Sequence, residues 1–401
     1  MEELLSHNRK LIFMSVKEII DRCEELFEDL NFTYAREWKA AEEGRKVVGY
    51  MPVYVPNEII HAAGMLPLGI LGGGDAMEVI HGDAYYQSYI CRIPRSTVEL
   101  GIMKNLDFVD GMLFPSLCDV IRNLSGVWKM LFPEVYARYF DTPQNFRSDI
   151  GGEFYRNDLQ ELREGLERLG SRKITDEDLK NSIKVYNEYR NKVREVYQYR
   201  AYQPWKVPAS EVYLLMRAGE IMTPEDHIQT MTDYLAAVEK EERRMKDNCR
   251  VVLNGSFCEQ PPLGLVKSIE LAGCYVVDDD YMMVNRMITE DVEAEGDPLE
   301  NLSEAFLKNS LSFPSKYEPS EEEKGKYLAE MVRERGAEGV IFSAPSFCDP
   351  ALLDQPMLAT VLEEQNIPYI SFQYAENSGQ MQPIREQAGT FADSIKLWSA
   401  A

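Results

Sequence analysis

Residues 46–65 read Lys46-Val47-Val48-Gly49-Tyr50-Met51-Pro52-Val53-Tyr54-Val55-Pro56-Asn57-Glu58-Ile59-Ile60-His61-Ala62-Ala63-Gly64-Met65. The first half is apolar and rich in β-branched side chains (Val47, Val48, Val53, Val55), and it runs directly into a helix-spaced stretch from Glu58 to Met65. A strand over 46–56 followed at once by a helix opens a βα unit. Outward from it, apolar runs at Pro67 to Leu71, Phe108 to Phe114 and Val135 to Phe140 alternate with helix-like stretches. Residues 46–155 therefore predict an α/β domain around a parallel sheet, preceded by a helical segment over 1–45.

Between residues 156 and 247 the pattern changes to long amphipathic helices. One has Thr175 as N-cap with Asp178 three residues on and apolar positions at Leu179, Ile183, Tyr186, Val193 and Tyr197. Another starts at Thr223-Pro224 and runs into the charged face Glu239-Lys240-Glu241-Glu242-Arg243-Arg244. Alternation returns over 248–401, with strands expected at Arg250 to Leu253, Cys274 to Val277, Gly339 to Ser343 and Pro368 to Phe372, and a helix over Ser320 to Arg335. The predicted fold class is α/β: two Rossmann-like or flavodoxin-like parallel-sheet domains with a helical insert or cap.

Cys91, Cys118 and Cys348 each follow an apolar run that reads as a buried strand and precede a polar turn. Two of them stand in nearly the same words, Pro115-Ser116-Leu117-Cys118-Asp119 and Pro345-Ser346-Phe347-Cys348-Asp349, as expected of two similar halves facing one site. Ligands gather beyond the carboxyl ends of strands in open parallel sheets, and soft thiolates suit iron. The spacing matches no compact ferredoxin or zinc-ribbon pattern, so packing as small hydrophobes competes with ligation at each cysteine. Cys258, in Gly255-Ser256-Phe257-Cys258-Glu259, echoes the phrase again and reads either as a fourth thiolate or as a buried thiol. Cys23, Cys249 and Cys274 are assigned to packing.

The formal charge of −24 and pI near 4.7 repel phosphate backbones and anionic lipid, which argues against nucleic-acid or membrane partners. Met1-Glu2-Glu3-Leu4-Leu5 opens no signal peptide, and seven cysteines at long spacings argue against a disulfide framework, so a cytoplasmic protein with reduced thiols is expected. No G-x-x-x-x-G-K-[ST] occurs and no G-x-G-x-x-G follows a strand, so neither ATP hydrolysis nor nicotinamide binding is expected in this chain. Gly72-Gly73-Gly74-Asp75 reads as a tight turn ahead of a phosphate cradle, because Asp75 would repel an anion. His61 and His81, which flank it, read as structural ahead of proton relays.

Residues 50–65, together with Ile90-Cys91-Arg92-Ile93-Pro94-Arg95-Ser96, Asp119-Val120-Ile121-Arg122-Asn123 and Tyr374-Ala375-Glu376-Asn377-Ser378-Gly379-Gln380-Met381-Gln382-Pro383-Ile384-Arg385-Glu386-Gln387, resemble the 2-hydroxyacyl-CoA dehydratase and benzoyl-CoA reductase family, in particular its ATP-dependent ring-reducing branch. The likeness covers almost the whole chain. It implies a 4Fe-4S cluster on Cys91, Cys118 and Cys348, with one iron left open to water, substrate or a sulfur bridge. It also implies one-electron reduction of benzoyl-CoA to a cyclohexadiene product in a multi-subunit complex. The partners it implies are the homologous B subunit of benzoyl-CoA reductase, the ATP-hydrolysing A and D activator subunits, which carry the electron-donor cluster, and ferredoxin. A 2-hydroxyacyl-CoA dehydratase subunit and a non-enzymatic metal-binding scaffold are the alternatives. Arg92, Arg95, Arg122 and Arg385 would hold coenzyme A, offset cluster charge, or pair with the abundant acids.

Overall fold

The computed structural model describes residues 14–256, 261–280, 288–309, 324–375 and 381–399. Two helices come first, α1 (Val16–Glu28) and α2 (Thr33–Ala40). The first sheet follows as β1 (Val47–Tyr50), α3 (Asn57–Ala62), β2 (Leu66–Gly69), α4 (Arg92–Ile102), β3 (Gly111–Pro115), α5 (Asp119–Leu131) and β4 (Tyr136–Phe140). Its strands are parallel throughout, in the order β2-β1-β3-β4. Four helices then form a layer: α6 (Glu153–Gly170), α7 (Asp176–Tyr202), α8 (Ala209–Gly219) and α9 (Pro224–Lys240).

The second sheet is built from β5 (Cys249–Gly255), α10 (Leu263–Leu271), β6 (Cys274–Asp279), α11 (Pro298–Asn309), α12 (Lys326–Glu334), β7 (Gly339–Pro345), α13 (Asp349–Glu364), β8 (Tyr369–Tyr374) and α14 (Met381–Ser399). Its order, β6-β5-β7-β8, repeats that of the first, again parallel. The expected α/β class with two parallel sheets is therefore what the chain folds into. β1, β2, β3 and β7 are buried along their whole length, which is why they read as unbroken apolar runs and not as alternation.

Helix starts follow local chemistry. Thr175 and Asp178 form the expected capping box of α7, and the Thr223 hydroxyl accepts from the Asp226 amide with Pro224 in the first turn of α9. A second box, Ser15 with Glu18, opens α1. The core is shared across the chain: Val16, Ile19 and Cys23 of α1 pack with the second sheet, whereas Leu299, Leu302 and Phe306 of α11 pack with the first.

Three expectations need correction. The first strand stops at Tyr50, and residues 51–56, with prolines at 52 and 56 that cannot donate to a ladder, form a buried loop although Val53 and Val55 are β-branched. Helix α9 ends at Lys240; past it, Arg243 turns back to hydrogen-bond the Lys206 carbonyl and Glu211, so the charge run is not a continuous helical face. Cys91 closes no strand, because residues 77–90 form a loop with one short 3-10 turn. Of the helix expected over 320–335, only Lys326–Glu334 lies among the described residues as helix.

Candidate metal and substrate site

The repeated phrases are repeated structure. After β3, the Ser116 amide donates to the Phe140 carbonyl at the end of β4 (2.9 Å); after β7, the Ser346 amide donates to the Tyr374 carbonyl at the end of β8 (2.8 Å). One residue beyond the next, Cys118 and Cys348 occupy the N-cap positions of α5 and α13, and their carbonyls accept the first helical amides, from Arg122 and Leu352, both at 3.1 Å. Cys91 reaches the same position by a different route, as N-cap of α4. Each cysteine thus stands at the positive end of a helix, where about half a unit charge favours a negative group.

Tyr86 lies beside both Cys91 and Cys118: burial first, and then these two neighbours, push its phenol up. Among the described residues its hydroxyl has no hydrogen-bond partner. Cys348 belongs to the other sheet, with its sulfur 3.0 Å from the buried Ser256 hydroxyl at the end of β5. Cys258, two residues further, lies outside the described residues. Among the described residues no three His, Cys, Asp or Glu side chains are gathered closely enough to hold a metal ion. The structure therefore brings Cys91 and Cys118 to one ring and leaves Cys348 at the matching point of the second half. By donor chemistry, three thiols at helix N-termini suit a soft iron centre.

Cys23, Cys249 and Cys274 are free buried thiols in the second core, Cys249 and Cys274 facing each other across β5 and β6. Burial pushes Cys23 and Cys274 up to about 12 and raises Cys249 as well. The arginines divide. Arg92 donates to the Met77 carbonyl and Arg95 pairs with Asp83 at 2.9 Å, so both staple the loop before Cys91 onto α4. Arg122 is exposed over the Tyr139 ring, and Arg385 is exposed on α14.

The histidines are structural by geometry. Glu99 on α4 receives the backbone amides of Ile80, His81 and Gly82 on one oxygen and His81 Nδ1 on the other at 2.8 Å, which folds that loop against the helix bearing Cys91. Burial raises the Glu99 carboxyl, but these bonds outweigh it and hold it below the ordinary value. His61 stands between Ser182 (2.9 Å) and Glu225 (3.1 Å), an apparent Ser-His-Glu set. The Ser182 hydroxyl already donates to the Glu58 carbonyl, so it has no proton to pass to His61. The glycine run is a turn: Gly72 has φ +73°, and a Cβ there would stand 2.3 Å from the Ser96 hydroxyl.

A cavity of about 320 Å³ lies between the two halves, lined among others by Tyr54, Tyr155, Tyr186, Tyr189, Tyr197 and Phe306. At its wall Asn57 Nδ2 donates to the Tyr50 hydroxyl (2.9 Å), which donates to Glu220 Oε2 (2.7 Å). Burial lifts the Glu220 carboxyl to about 7, against the opposing effects of Tyr50 and Arg217. Glu58 and Arg190, both buried, form an ion pair on the same wall. Sequence reading missed this site. Its one signal was the spacing of Tyr186, Tyr189, Arg190, Val193, Arg194 and Tyr197 along one stripe of α7, polar and aromatic where a plain core helix would be aliphatic.

The family model described as 2-hydroxyglutaryl-CoA dehydratase, D-component, matches residues 52–395. The C subunit of benzoyl-CoA reductase from Thauera aromatica is 68% identical over 386 residues, covering 96% of this chain and 100% of that protein. The beta subunit of (R)-2-hydroxyglutaryl-CoA dehydratase from Acidaminococcus fermentans is 28% identical over 90% of this chain and 95% of its own length. The beta subunit of (R)-phenyllactyl-CoA dehydratase from Clostridium sporogenes is 26% identical over 88% and 93%. With repeated parallel sheets, cysteine-capped helices and a match along nearly its whole length, the chain belongs to the 2-hydroxyglutaryl-CoA dehydratase D-component family.

Proposed function

We propose that this chain is a subunit of a benzoyl-CoA reductase, an oxidoreductase that acts as a hetero-oligomer, and that Cys91, Cys118 and Cys348 hold a 4Fe-4S cluster. The observation that carries the reading is the 68% identity over nearly the full length to the benzoyl-CoA reductase C subunit, against 26–28% to the dehydratase subunits. When bound, the cluster supplies electrons singly to an aromatic acyl-CoA. The chain's own residues hold it: three helix N-termini offset thiolate charge, and Glu99, Arg92 and Arg95 fix the loop ahead of Cys91.

Exposed apolar side chains near these cysteines in sequence, Ile80, Tyr85 and Tyr89 before Cys91 and Phe347, Leu353 and Met357 around Cys348, support a partner that covers this face. The homologous B subunit of benzoyl-CoA reductase is that partner, with ATP hydrolysed on the A and D activator subunits and ferredoxin as the electron source. Residues 46–155 and 248–401 form the two α/β units, joined through 156–247, and the complex works in the cytoplasm. No helix among the described residues is long and apolar enough to cross a membrane.

The test is anaerobic assay of the assembled, iron-loaded complex with ATP and reduced ferredoxin. Consumption of benzoyl-CoA to a cyclohexadiene thioester is the expected result. Turnover of a 2-hydroxyacyl-CoA alone would overturn the reading, as would protein with no bound iron and sulfide.

A further inference from the structure

We propose that the cavity between the two halves binds the acyl end of an aromatic thioester, with Glu220 donating a hydrogen bond to the thioester carbonyl and Asn57 receiving an amide N–H from the attached pantetheine arm. This deepens the reading of the chain as a benzoyl-CoA reductase component and rests on it, because it assigns a thioester site to this chain itself.

The walls select a flat ring. Tyr54 and Phe306 meet edge to face at 6.0 Å and 89°, and Tyr155 lies 4.6 Å from the Phe306 centroid, so an inserted ring finds both faces and edges. The volume, about 320 Å³, lies within the range of small-molecule pockets. The floor offers two hydrogen-bonding atoms. Asn57 is 6% exposed, and its Oδ1 has no partner among the described residues, an arrangement that costs free energy until a donor arrives. Glu220 Oε2 is held by Tyr50, while no hydrogen bond to Oε1 occurs among the described residues. With its carboxyl raised to about 7, Glu220 retains its proton in a large fraction of molecules at neutral pH and can donate it to a carbonyl oxygen.

Charge excludes the anionic end of the ligand. The three arginines among the described lining residues are each matched by a carboxylate: Arg190 by Glu58, Arg194 by Asp291 at 2.6 Å and Arg335 by Asp278 at 2.5 Å. None of them is left uncompensated for a phosphate, which suits the neutral acyl end of the thioester. Placement is built into the strand: a Cβ on residue 69 would stand 2.1 Å from Glu220 Oε2, so Gly69 makes room for the carboxyl, and the Gly69 amide donates to the Glu220 carbonyl at 2.7 Å.

The groups facing Glu220 are Tyr50 on β1, Glu58 on α3, Tyr186, Tyr189 and Arg190 on α7, and Arg217 on α8, with His61 and His227 behind the tyrosine rings. Burial pushes the three tyrosines up and lowers His227 to about 4, away from neutral pH. Comparison with a Glu220→Gln variant isolates Glu220, since the amide keeps an N–H donor that does not titrate and any contribution from His61 survives in both proteins.

The experiment uses the oxidised complex without electron donor, so that binding is read without turnover, and titrates benzoyl-CoA and S-benzoyl-N-acetylcysteamine by calorimetry at pH 6 and pH 8. Wild-type affinity at this site is expected to fall roughly tenfold between the two, following loss of the Glu220 proton, and Glu220→Gln to stay flat. Val193→Phe, which plugs the cavity from α7, is expected to lower the number of thioesters bound per complex by one, with unchanged circular dichroism and iron content. Equal pH profiles for wild type and Glu220→Gln, or undiminished stoichiometry in folded Val193→Phe, overturn the site assignment while benzoyl-CoA turnover by the wild-type complex leaves the functional reading intact. A complex that neither binds nor turns over benzoyl-CoA overturns both.

Discussion

Replacing Glu220 with glutamine should make the stability of this protein less sensitive to pH. Glu220 is 5% exposed, and burial raises its carboxyl from 4.5 to about 7. The folded state therefore keeps its proton to a higher pH than the unfolded chain does. Stability is unaffected below about pH 4.5, declines as pH rises through the interval between 4.5 and about 7, and carries the full penalty above it. At about 1.4 kcal/mol per tenfold change in proton affinity, moving the carboxyl from 4.5 to about 7 corresponds to about 3 kcal/mol. A glutamine side chain at this position would accept the Tyr50 hydrogen bond through its amide oxygen and never ionise. Other groups, including Asp158, which burial raises to about 6, titrate in both proteins and cancel in the difference. Denaturant unfolding of both proteins at pH 5 and pH 8 reads the effect. The advantage of Glu220→Gln over wild type should grow by about 2–3 kcal/mol between the two pH values. A constant offset would refute the buried, proton-retaining carboxyl.

Serine at position 91, 118 or 348 should abolish iron binding and cluster absorbance, whereas serine at Cys23 or Cys249 should preserve both; full iron in the first three variants would contradict the ligand set. Arg190→Met leaves Glu58 buried without its partner and should destabilise the protein by roughly 3–5 kcal/mol in denaturant unfolding, with much of the loss recovered when Glu58→Gln is added. Thr175→Ala removes the hydroxyl of the α7 capping box and should cost about 1 kcal/mol, also read by unfolding.

The sheets were legible because their inner strands are buried and flanked by helices, so the chain around Val47, Met112, Val251 and Ile341 reads as short unbroken apolar runs. Boundaries failed where burial and strand pairing part company: Val53 and Val55 are as buried as any strand residue, yet Pro52 and Pro56 keep their backbone out of the ladder. The loop before Cys91 misled for a similar reason. Tyr85, Tyr86, Tyr89 and Ile90 give it a strand-like composition, while its shape is set by a carboxylate at position 99 that no local pattern connects to it. The cavity was illegible because Asn57, Glu220 and the α7 tyrosines are remote in sequence and become neighbours only through packing of the helical layer on both halves.

Helix α7 has a consequence for how the halves can move. It runs for 27 residues, roughly 40 Å at 1.5 Å per residue, beside α3, α9, α11 and β6. Near its middle Arg190 is clamped to Glu58 of the first half; ten residues on, the fully buried Arg200 is clamped to Asp279 of the second half at 2.7 Å. Swinging the halves apart would strip a dry guanidinium from its counter-ion at one of these two points along the helix. The molecule is thus braced against hinge opening by two buried ion pairs, one to each half.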